Sequence, residues 1–417
     1  MKGRRLNIVF SATRQFNPGD EFILYGIMNL LHDVMENESF NAVIYNRNPD
    51  INQRFDSVFT RTSFNRRKFR GASYAASVFR IFRWDNSIRK DSDWKKVDLI
   101  VFAGSPEWYG ARSRIVYWAA KRYKIPVIYM GIGTGEENIE KKIKEHEWKV
   151  IDRALYITTR DKMTTDMLCL HASETEERNR KGQKWCARPK CVVCPSICSS
   201  RTQKRVEKVR RIALIYSSSR VSDNNNISVE AEHYIKRLYA VLMKKYDTAL
   251  VCHYIEELDY AVQDFPGEEY YYSFDSHDYF DIYAQFDFVI GCRVHGIGIC
   301  ASMGIPGIII NHSIRCETGK LLGAGMVTPD LNRLEETGEY IEDCIRNAAV
   351  KSMALSQLKK ETWNTYVSDL KCILGLAGIW KKDSKEGDIN MDEIIRGGGI
   401  PLSKIFLPDR RREVLYG

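Results

Sequence analysis

The chain has 417 residues, of which 44% are hydrophobic and 28% are charged, and its formal net charge is +9. This length exceeds what one ordinary hydrophobic core fills, so it predicts two domains with extensions, and no stretch holds the ~20 uninterrupted apolar residues of a membrane-spanning helix. The modest positive charge suits an anionic small molecule, an acidic carrier or weak contact with a membrane surface; it is too small, taken alone, to predict nucleic-acid binding.

The N-terminus and the cysteines both favour an intracellular protein. The apolar run at residues 6–12 is too short for a signal peptide, and polar residues follow it at once, so we interpret it as a first buried strand. Eleven cysteines are spread along the chain, and this odd number predicts free thiols rather than a disulfide framework. We therefore expect a cytoplasmic protein, with a peripheral position at the inner face of the membrane left open.

Apolar runs and helical periodicities alternate along the whole sequence, as they do in parallel sheets that carry helices on both faces. In the first half we predict strands at residues 6–12, 42–45, 97–103, 125–130 and 154–158, with helices at about 21–35 and 107–122. In the second half we predict strands at residues 212–216, 249–252, 288–291 and 307–311, with helices at 229–245, 278–285 and 295–303. The fold class is therefore α/β.

Composition changes along the chain suggest where the domains begin and end. We predict an N-terminal Rossmann-like domain over residues 1–200, a second over 209–330, a helical segment over 335–376 that packs across both, and an extended tail over 377–417. A basic, aromatic insertion at residues 46–90 interrupts the first domain. It is either a solvated surface segment or an element that contacts an acceptor or a membrane surface, and both readings stay open.

Cationic and hydroxyl side chains follow the predicted strands. Ligands of open parallel sheets bind at the carboxyl ends of the strands, where helix N-termini also present free N–H groups. The pattern therefore predicts a site for a compact, multiply charged anion. The residues in question are Arg14, Asn17, Asp20, Gly133, Arg160, Ser217, Arg220, His253, Arg293, His295, His312 and Arg315.

Four short motifs carry a resemblance to a known family. Gly291, Arg293 and His295, with Ala301 and the Gly304-Ile305-Pro306 turn behind them, resemble the Gly-x-Arg-Leu-His signature of the polysaccharide pyruvyl transferases. The segment at residues 17–21 resembles the family's Asn-x-Gly-Asp-Glu, Arg160-Asp161 its Arg-Asp, and residues 131–133 its Gly-x-Gly. The resemblance extends from Leu6 to about Leu322.

The resemblance implies a glycosyltransferase-B-like fold, in which two Rossmann-like domains face each other across a cleft that holds the site, followed by a helical C-terminal extension. It also implies that a pyruvyl group moves from phosphoenolpyruvate to a saccharide or a lipid-linked saccharide, giving a ketal and phosphate in the synthesis of cell-envelope or exopolysaccharide material. No cofactor is required, and the partners are the anionic donor and the saccharide acceptor, with a homo-oligomer left open.

The resemblance also implies roles for individual residues. His295 is the candidate general acid/base, and Arg293, Arg315 and Arg160 are candidate donor-binding residues, Arg315 standing where the family has a lysine. From the strand-end pattern we add Arg220 and Gly133 as donor-binding candidates. Asn17, Asp20 and Arg14 are candidates for acceptor binding, and Asp20 has an alternative role as the N-cap of the first helix.

Two departures from the family pattern keep other functions open. Residues 103–108 are bulkier than the family's run of glycines, and residues 311–314 lack its acidic motif. One alternative is a glycosyltransferase-like enzyme with another anionic donor, such as a nucleotide sugar whose base and ribose lie beside residues 217–220. The other is a non-catalytic anion-sensing or anion-binding protein on the same fold.

Four cysteines lie within thirteen residues, at Cys186, Cys191, Cys194 and Cys198. Thiolates favour zinc and iron–sulfur clusters, so this group is a candidate metal site. The competing interpretation is a buried strand over residues 191–195, in which the odd offset would send Cys191 and Cys194 to opposite faces. We expect no metal, and keep the four thiols as the alternative.

Overall fold

The computed structural model describes residues 6–13, 18–35, 40–47, 94–104, 108–135, 138–178, 187–221 and 227–379. Arg14, Asn17, Cys186 and most of the predicted insertion and tail lie outside these residues. The described residues divide into two units. Unit 1 takes those within Met1–Phe16, Ile27–Pro195 and Asn364–Ile389, and unit 2 takes those within Asn17–Gly26 and Ser196–Trp363.

Unit 1 is built on a six-stranded sheet with the order β2-β1-β3-β4-β5-β6, and every strand pair in it is parallel. The central strand β3 is buried at all five positions, which explains its continuous apolar sequence. The strands are β1 Asn7–Ala12, β2 Asn41–Asn46, β3 Leu99–Ala103, β4 Val127–Ile132, β5 Tyr156–Thr159 and β6 Lys190–Cys191. The helices are α1 Pro18–Val34, α2 Arg114–Tyr123, α3 Glu145–Ile151 and α4 Lys162–Arg178.

Unit 2 repeats the same plan with the order β12-β11-β10-β7-β8-β9, again entirely parallel. Its strands are β7 Arg211–Ile215, β8 Asp247–Val251, β9 Tyr270–Tyr271, β10 Phe288–Gly291, β11 Gly307–Ile310 and β12 Gly325–Val327. Its helices are α5 Val229–Lys245, α6 Ile255–Asp264, α7 Asp278–Ala284, α8 Val294–Ser302, α9 Glu317–Leu321 and α10 Leu334–Arg346. The last helix, α11 Ala348–Leu376, contributes residues to both units.

A buried lysine fixes the first part of α11 within unit 2. The Lys359 ammonium donates to the backbone carbonyls of Ser200, at 2.7 Å, and of Ser302, at 2.8 Å. Ser302 is the last residue of α8, where carbonyls lack helical partners and a cation is favoured. Ser352, about two turns earlier, donates to the Gly304 carbonyl and accepts from the N–H of Val206. These contacts tie α11 to the end of α8.

The fold class predicted from the sequence is confirmed, since two parallel α/β units and a helical C-terminal part are present. The first helix differs from its prediction because it begins at Pro18, so Asp20 lies inside the first turn and is not the N-cap. Residues 18–26, which we had assigned to the first domain, group with unit 2. Phe22 contributes to this grouping, since the centre of its ring lies 6.3 Å from that of His253 and 6.0 Å from that of Tyr279. Among the described residues, no helix combines the length and apolar character needed to cross a bilayer.

Two glycines test how tightly unit 2 is packed. A Cβ on Gly307 in β11 would lie 2.4 Å from Val289 Cγ1 and 2.6 Å from the Val289 carbonyl oxygen, whereas a Cβ on Gly338 in α10 would contact nothing. We expect Gly307→Ala to lower the free energy of unfolding by about 1–3 kcal/mol through overpacking. Gly338→Ala should raise it by about 0.5–1 kcal/mol through helix propensity. Urea unfolding of both variants checks this, and equal effects would contradict the described packing.

Candidate functional site

The strand ends of unit 2 gather most of the predicted site residues. Strands β11, β10, β7 and β8 are consecutive neighbours in the sheet and all run in one direction, so the loops that follow them emerge at one edge. The segment after β11 carries His312 and Arg315, and the segment after β10 carries Arg293 and His295. Ser217 to Arg220 follow β7, and His253 follows β8. The sheet order therefore brings together residues that are far apart in the sequence.

Arg293 lies at the centre of this edge, but it is buried rather than open to a ligand. Its side chain is 5% exposed and forms an ion pair with Glu257, which is fully buried. The guanidinium carbon lies 4.2 Å from the centre of the Tyr254 ring. Burial opposes the charge of Arg293, yet the Glu257 carboxylate outweighs it and the pKa of Arg293 is raised.

Glu257 connects the Arg293 side chain to the backbone just before α6. Besides the Arg293 guanidinium, its carboxylate accepts hydrogen bonds from the N–H groups of His253, at 2.9 Å, and Tyr254, at 3.2 Å. Arg293 thus fixes the loop after β10 to the start of α6. It was predicted to bind the donor, and the structure gives it a positioning contact instead, because the buried carboxylate engages its guanidinium.

Two histidines at this edge are neutral. His253 is buried, its Nε2 lies 2.8 Å from the Tyr283 hydroxyl, and burial followed by the charge of Arg293 holds its pKa well below the ordinary value. Burial also lowers the pKa of His312, helped by the charges of Arg293 and Arg315 and opposed by a hydrogen bond to the backbone of Cys292. The His312 Nδ1 atom is buried and has no hydrogen-bond partner among the described residues. Arg315 is therefore near enough to His312 to affect its titration.

His295 is the second residue of α8 and is half-buried. Its imidazole lies directly against Gly19 in the first turn of α1, where an added Cβ would be 2.2 Å from Nδ1 and 2.6 Å from the His295 Cβ. Only a residue without a side chain leaves room for the imidazole there. This contact places Gly19 of one motif of the resemblance against His295 of the other.

The first turn of α1 is held in place by a second contact. Glu21 is fully buried and accepts a hydrogen bond of 2.7 Å from the hydroxyl of Ser276, which also lies 2.7 Å from the Tyr25 hydroxyl. Asp20, a candidate for acceptor binding, is buried in the same turn. The turn that packs against His295 is thus fixed by polar groups from the loop before α7.

Arg220 was predicted to bind the donor, but carboxylates of the chain occupy its guanidinium. It forms an ion pair with Asp264, donates to the hydroxyls of Tyr216, at 3.1 Å, and Ser218, at 3.0 Å, and lies 4.1 Å from the Tyr260 ring. These bonds hold Arg220 within its own loop. We therefore remove it from the donor-binding candidates.

Unit 1 has a separate cluster at the carboxyl ends of its strands. A Cβ on Gly133, just after β4, would lie 2.6 Å from Arg160 Nε and 2.7 Å from Asp161 Oδ2, so this glycine lets Arg160 and Asp161 approach the backbone. Asp161 accepts from the N–H of Thr164, at 2.7 Å, and caps α4. Trp108, from the bulky segment after β3, is fully buried in the core of unit 1 and donates to the Gly133 carbonyl at 3.2 Å.

The cysteine group does not form one cluster in the part of the chain that the structure describes. Cys191 is exposed at the end of the edge strand β6, whereas Cys194 and Cys198 are buried. Among the described residues, no three His, Cys, Asp or Glu side chains are arranged to hold a metal ion. The strand predicted over residues 191–195 is wrong, because β6 is Lys190–Cys191 and only Cys191 of that range belongs to it.

The sequence did not indicate several residues that shape this edge. Glu257, Tyr254 and Ser276 lie on segments without a motif, and only their contacts with Arg293 and Glu21 reveal them. The one available signal was the run of acidic residues at 256–257 after β8, which is typical of a helix start.

Comparisons with known proteins agree with the fold and with the motifs. The family described as polysaccharide pyruvyl transferase matches residues 17–314. No curated protein matches the sequence. Among solved structures, the S. aureus MnaA–UDP complex is similar with a TM-score of 0.51 and 12% identity, covering 92% of this chain and all of that one. A UDP-N-acetylglucosamine 2-epimerase is similar with a TM-score of 0.50 and 13% identity at the same coverage. At such identities the likeness shows the fold alone.

The Arg293–Glu257 pair yields a test of the positioning contact. Breaking a buried pair leaves one charge uncompensated, so Arg293→Met and Glu257→Gln should each lower the free energy of unfolding by about 3–5 kcal/mol. The double variant should lose much less than the sum, as urea unfolding will measure. The exposed pair Arg333–Glu336 is the control, with an expected coupling of at most about 1 kcal/mol. Additive losses at Arg293 and Glu257 would contradict a direct interaction.

Proposed function

The chain belongs to the polysaccharide pyruvyl transferase family, and from this we propose that it moves a pyruvyl group from phosphoenolpyruvate to a saccharide, where it becomes a ketal. At the coarser level it is a transferase that modifies polysaccharides. The observation that carries the finer proposal is the group of basic side chains at one edge of unit 2, namely His295, His312 and Arg315, on neighbouring strand ends.

The charge at this edge suits a small dianionic or trianionic donor. Glu257 offsets the charge of Arg293, and Arg315 adds a further cation close to His312. The neutral His312 adds a hydrogen-bonding group, and the N–H groups in the first turn of α8 favour an anion. Phosphoenolpyruvate carries a carboxylate and a phosphate, and a guanidinium can bind either one through two parallel hydrogen bonds.

The proposed reaction balances without a cofactor. One saccharide hydroxyl adds to C2 of phosphoenolpyruvate while C3 takes up a proton and becomes a methyl group. A second hydroxyl then attacks C2, the C2–O bond to phosphate breaks, and inorganic phosphate leaves. The two hydroxyls release two protons, of which C3 receives one and the phosphate the other.

His295 is our candidate for the proton transfers. An imidazole can both accept a proton from a hydroxyl and deliver one to carbon near neutral pH, and such catalysis is worth about 10²–10⁴-fold in rate. The Gly19 backbone restricts where this imidazole can lie. Arg160 and Gly133 in unit 1 remain candidates for donor contacts, and Asp20, with Arg14 and Asn17 outside the described residues, for the acceptor.

A different anionic donor is the competing function. Two of the similar structures are named for UDP or for a UDP-sugar epimerase, so a UDP-sugar is the alternative donor to be titrated. The occupied state of Arg220 weighs against this donor at residues 217–220, because the carboxylate of Asp264 holds the guanidinium.

Calorimetric titration with phosphoenolpyruvate tests the donor. We expect micromolar binding by the wild type, about 10–100-fold weaker binding by Arg315→Ala through the loss of charged hydrogen bonds, and a smaller loss by His295→Ala. Arg346→Ala and His233→Ala, at exposed positions of the same unit, are matched controls that should bind as the wild type does. Binding of a UDP-sugar but not of phosphoenolpyruvate would overturn the proposed donor.

A second prediction concerns the contact between Gly19 and His295. Gly19→Ala should displace the imidazole while the helix keeps its stability, because alanine suits the first turn of a helix and only the added methyl group clashes. We expect phosphate release from phosphoenolpyruvate, with a panel of saccharide acceptors, to fall by about 10²-fold. Gly338→Ala, whose methyl group meets nothing, is the control. Unchanged turnover in Gly19→Ala would remove His295 from the reaction.

A further inference from the structure

The loop after β7 and the start of α5 form the first strand–loop–helix turn of unit 2. In Rossmann-like domains this kind of turn holds phosphate, because loop N–H groups and the helix N-terminus both point at the anion. In this chain the turn has suitable donors, namely the N–H of Ser219 and the hydroxyls of Ser218 and Ser219. The question is what these donors bind.

The carboxylate of Glu232, the fourth residue of α5, already occupies them. It accepts from the Ser219 N–H at 2.7 Å, from the Ser218 hydroxyl at 3.0 Å and from the Ser219 hydroxyl. Lys236 adds an ion pair of 2.8 Å, and Arg220 lies 3.6 Å away. Only 7% of the Glu232 side chain is exposed.

The charges around Glu232 are balanced within the chain. Lys236 and Arg220 each also pair with Asp264, so two cations face two carboxylates. Burial works against ionisation of Glu232, but the hydrogen bonds from Lys236, Ser219 and Ser218 outweigh it and lower its pKa to about 2. The carboxylate is therefore a permanent anion near neutral pH.

We propose that Glu232 is a built-in substitute for phosphate at this turn, and that it restricts the donor by keeping the phosphates of a nucleoside diphosphate out of the loop. A second anion would have to displace a buried carboxylate that has four bonding partners. The exclusion of nucleoside diphosphates rests on the proposed function, because it explains why the donor would be one with a single phosphate. The part that concerns the occupied turn stands on the contacts alone.

The test removes the carboxylate and offers inorganic phosphate. Glu232→Ala leaves the serine donors without their anion and Lys236 with Asp264 alone, so phosphate should raise its melting temperature by roughly 2–4 °C more than that of the wild type. Glu232→Gln fills the same space and should show no such gain. Glu342→Ala, which removes a surface partner of Lys245, is the control for general salt effects. Sodium chloride at matched ionic strength is the reference buffer.

The same variants separate the donors. UDP should stabilise Glu232→Ala at concentrations at least about tenfold below any effect on the wild type, in keeping with a freed anion position. If Glu232→Ala shows no cooperative transition in phosphate-free buffer, restoration of the transition by phosphate supports the inference, and failure to restore it counts against it. Equal phosphate dependence in all four proteins, or equal UDP binding by the wild type and Glu232→Ala, would overturn it. None of these readouts involves phosphoenolpyruvate, so they stand whether or not that donor is confirmed.

Discussion

A buried ion pair holds together the edge of unit 2 that carries the predicted site residues. Arg293 lies in the loop after β10 and Glu257 in the first turn of α6, and the carboxylate also accepts two backbone N–H groups. Both side chains are buried and cannot be solvated, so each charge depends on the other for compensation. The position of the loop that leads into α8, and hence of His295 at its start, follows from this pair. Burial holds the pKa of His253 well below its ordinary value, and the neighbouring Arg293 cation lowers it further.

Carboxylates of the chain match several of the charged groups at this edge. Arg220 and Lys236 are matched by Asp264 and Glu232, and Arg293 is matched by Glu257. A count of basic residues at strand ends therefore overstates the cationic character of the site, because carboxylates of the chain match Arg220 and Arg293.

The elements with strong periodicity could be predicted from the sequence, and those without it could not. The helix at Val229–Lys245 and the strand at Phe288–Gly291 have the predicted bounds. Burial on one face of the helix and on both faces of the strand requires apolar residues there, and these form the pattern that predicts the elements. The two-residue strands β6 and β9 are too short to show any pattern. The partners of buried charged side chains could not be predicted either, because they are distant in the sequence. Arg293 and Glu257 are 36 residues apart, and Glu21 and Ser276 are 255 apart.

Unit 1 is built from segments that lie before and after unit 2 in the sequence, and this has a consequence for the synthesis of the chain. Unit 1 takes its last helical residues from the segment after unit 2, where Asp369 accepts from the Tyr156 hydroxyl at 2.8 Å and Tyr366 donates to the Val193 carbonyl at 3.0 Å. On the ribosome, unit 1 emerges first, but these contacts are available only after all of unit 2 has been made. The nascent N-terminal part must therefore stay incomplete while some 170 residues follow it, and a chain that ends before α11 leaves both units unfinished.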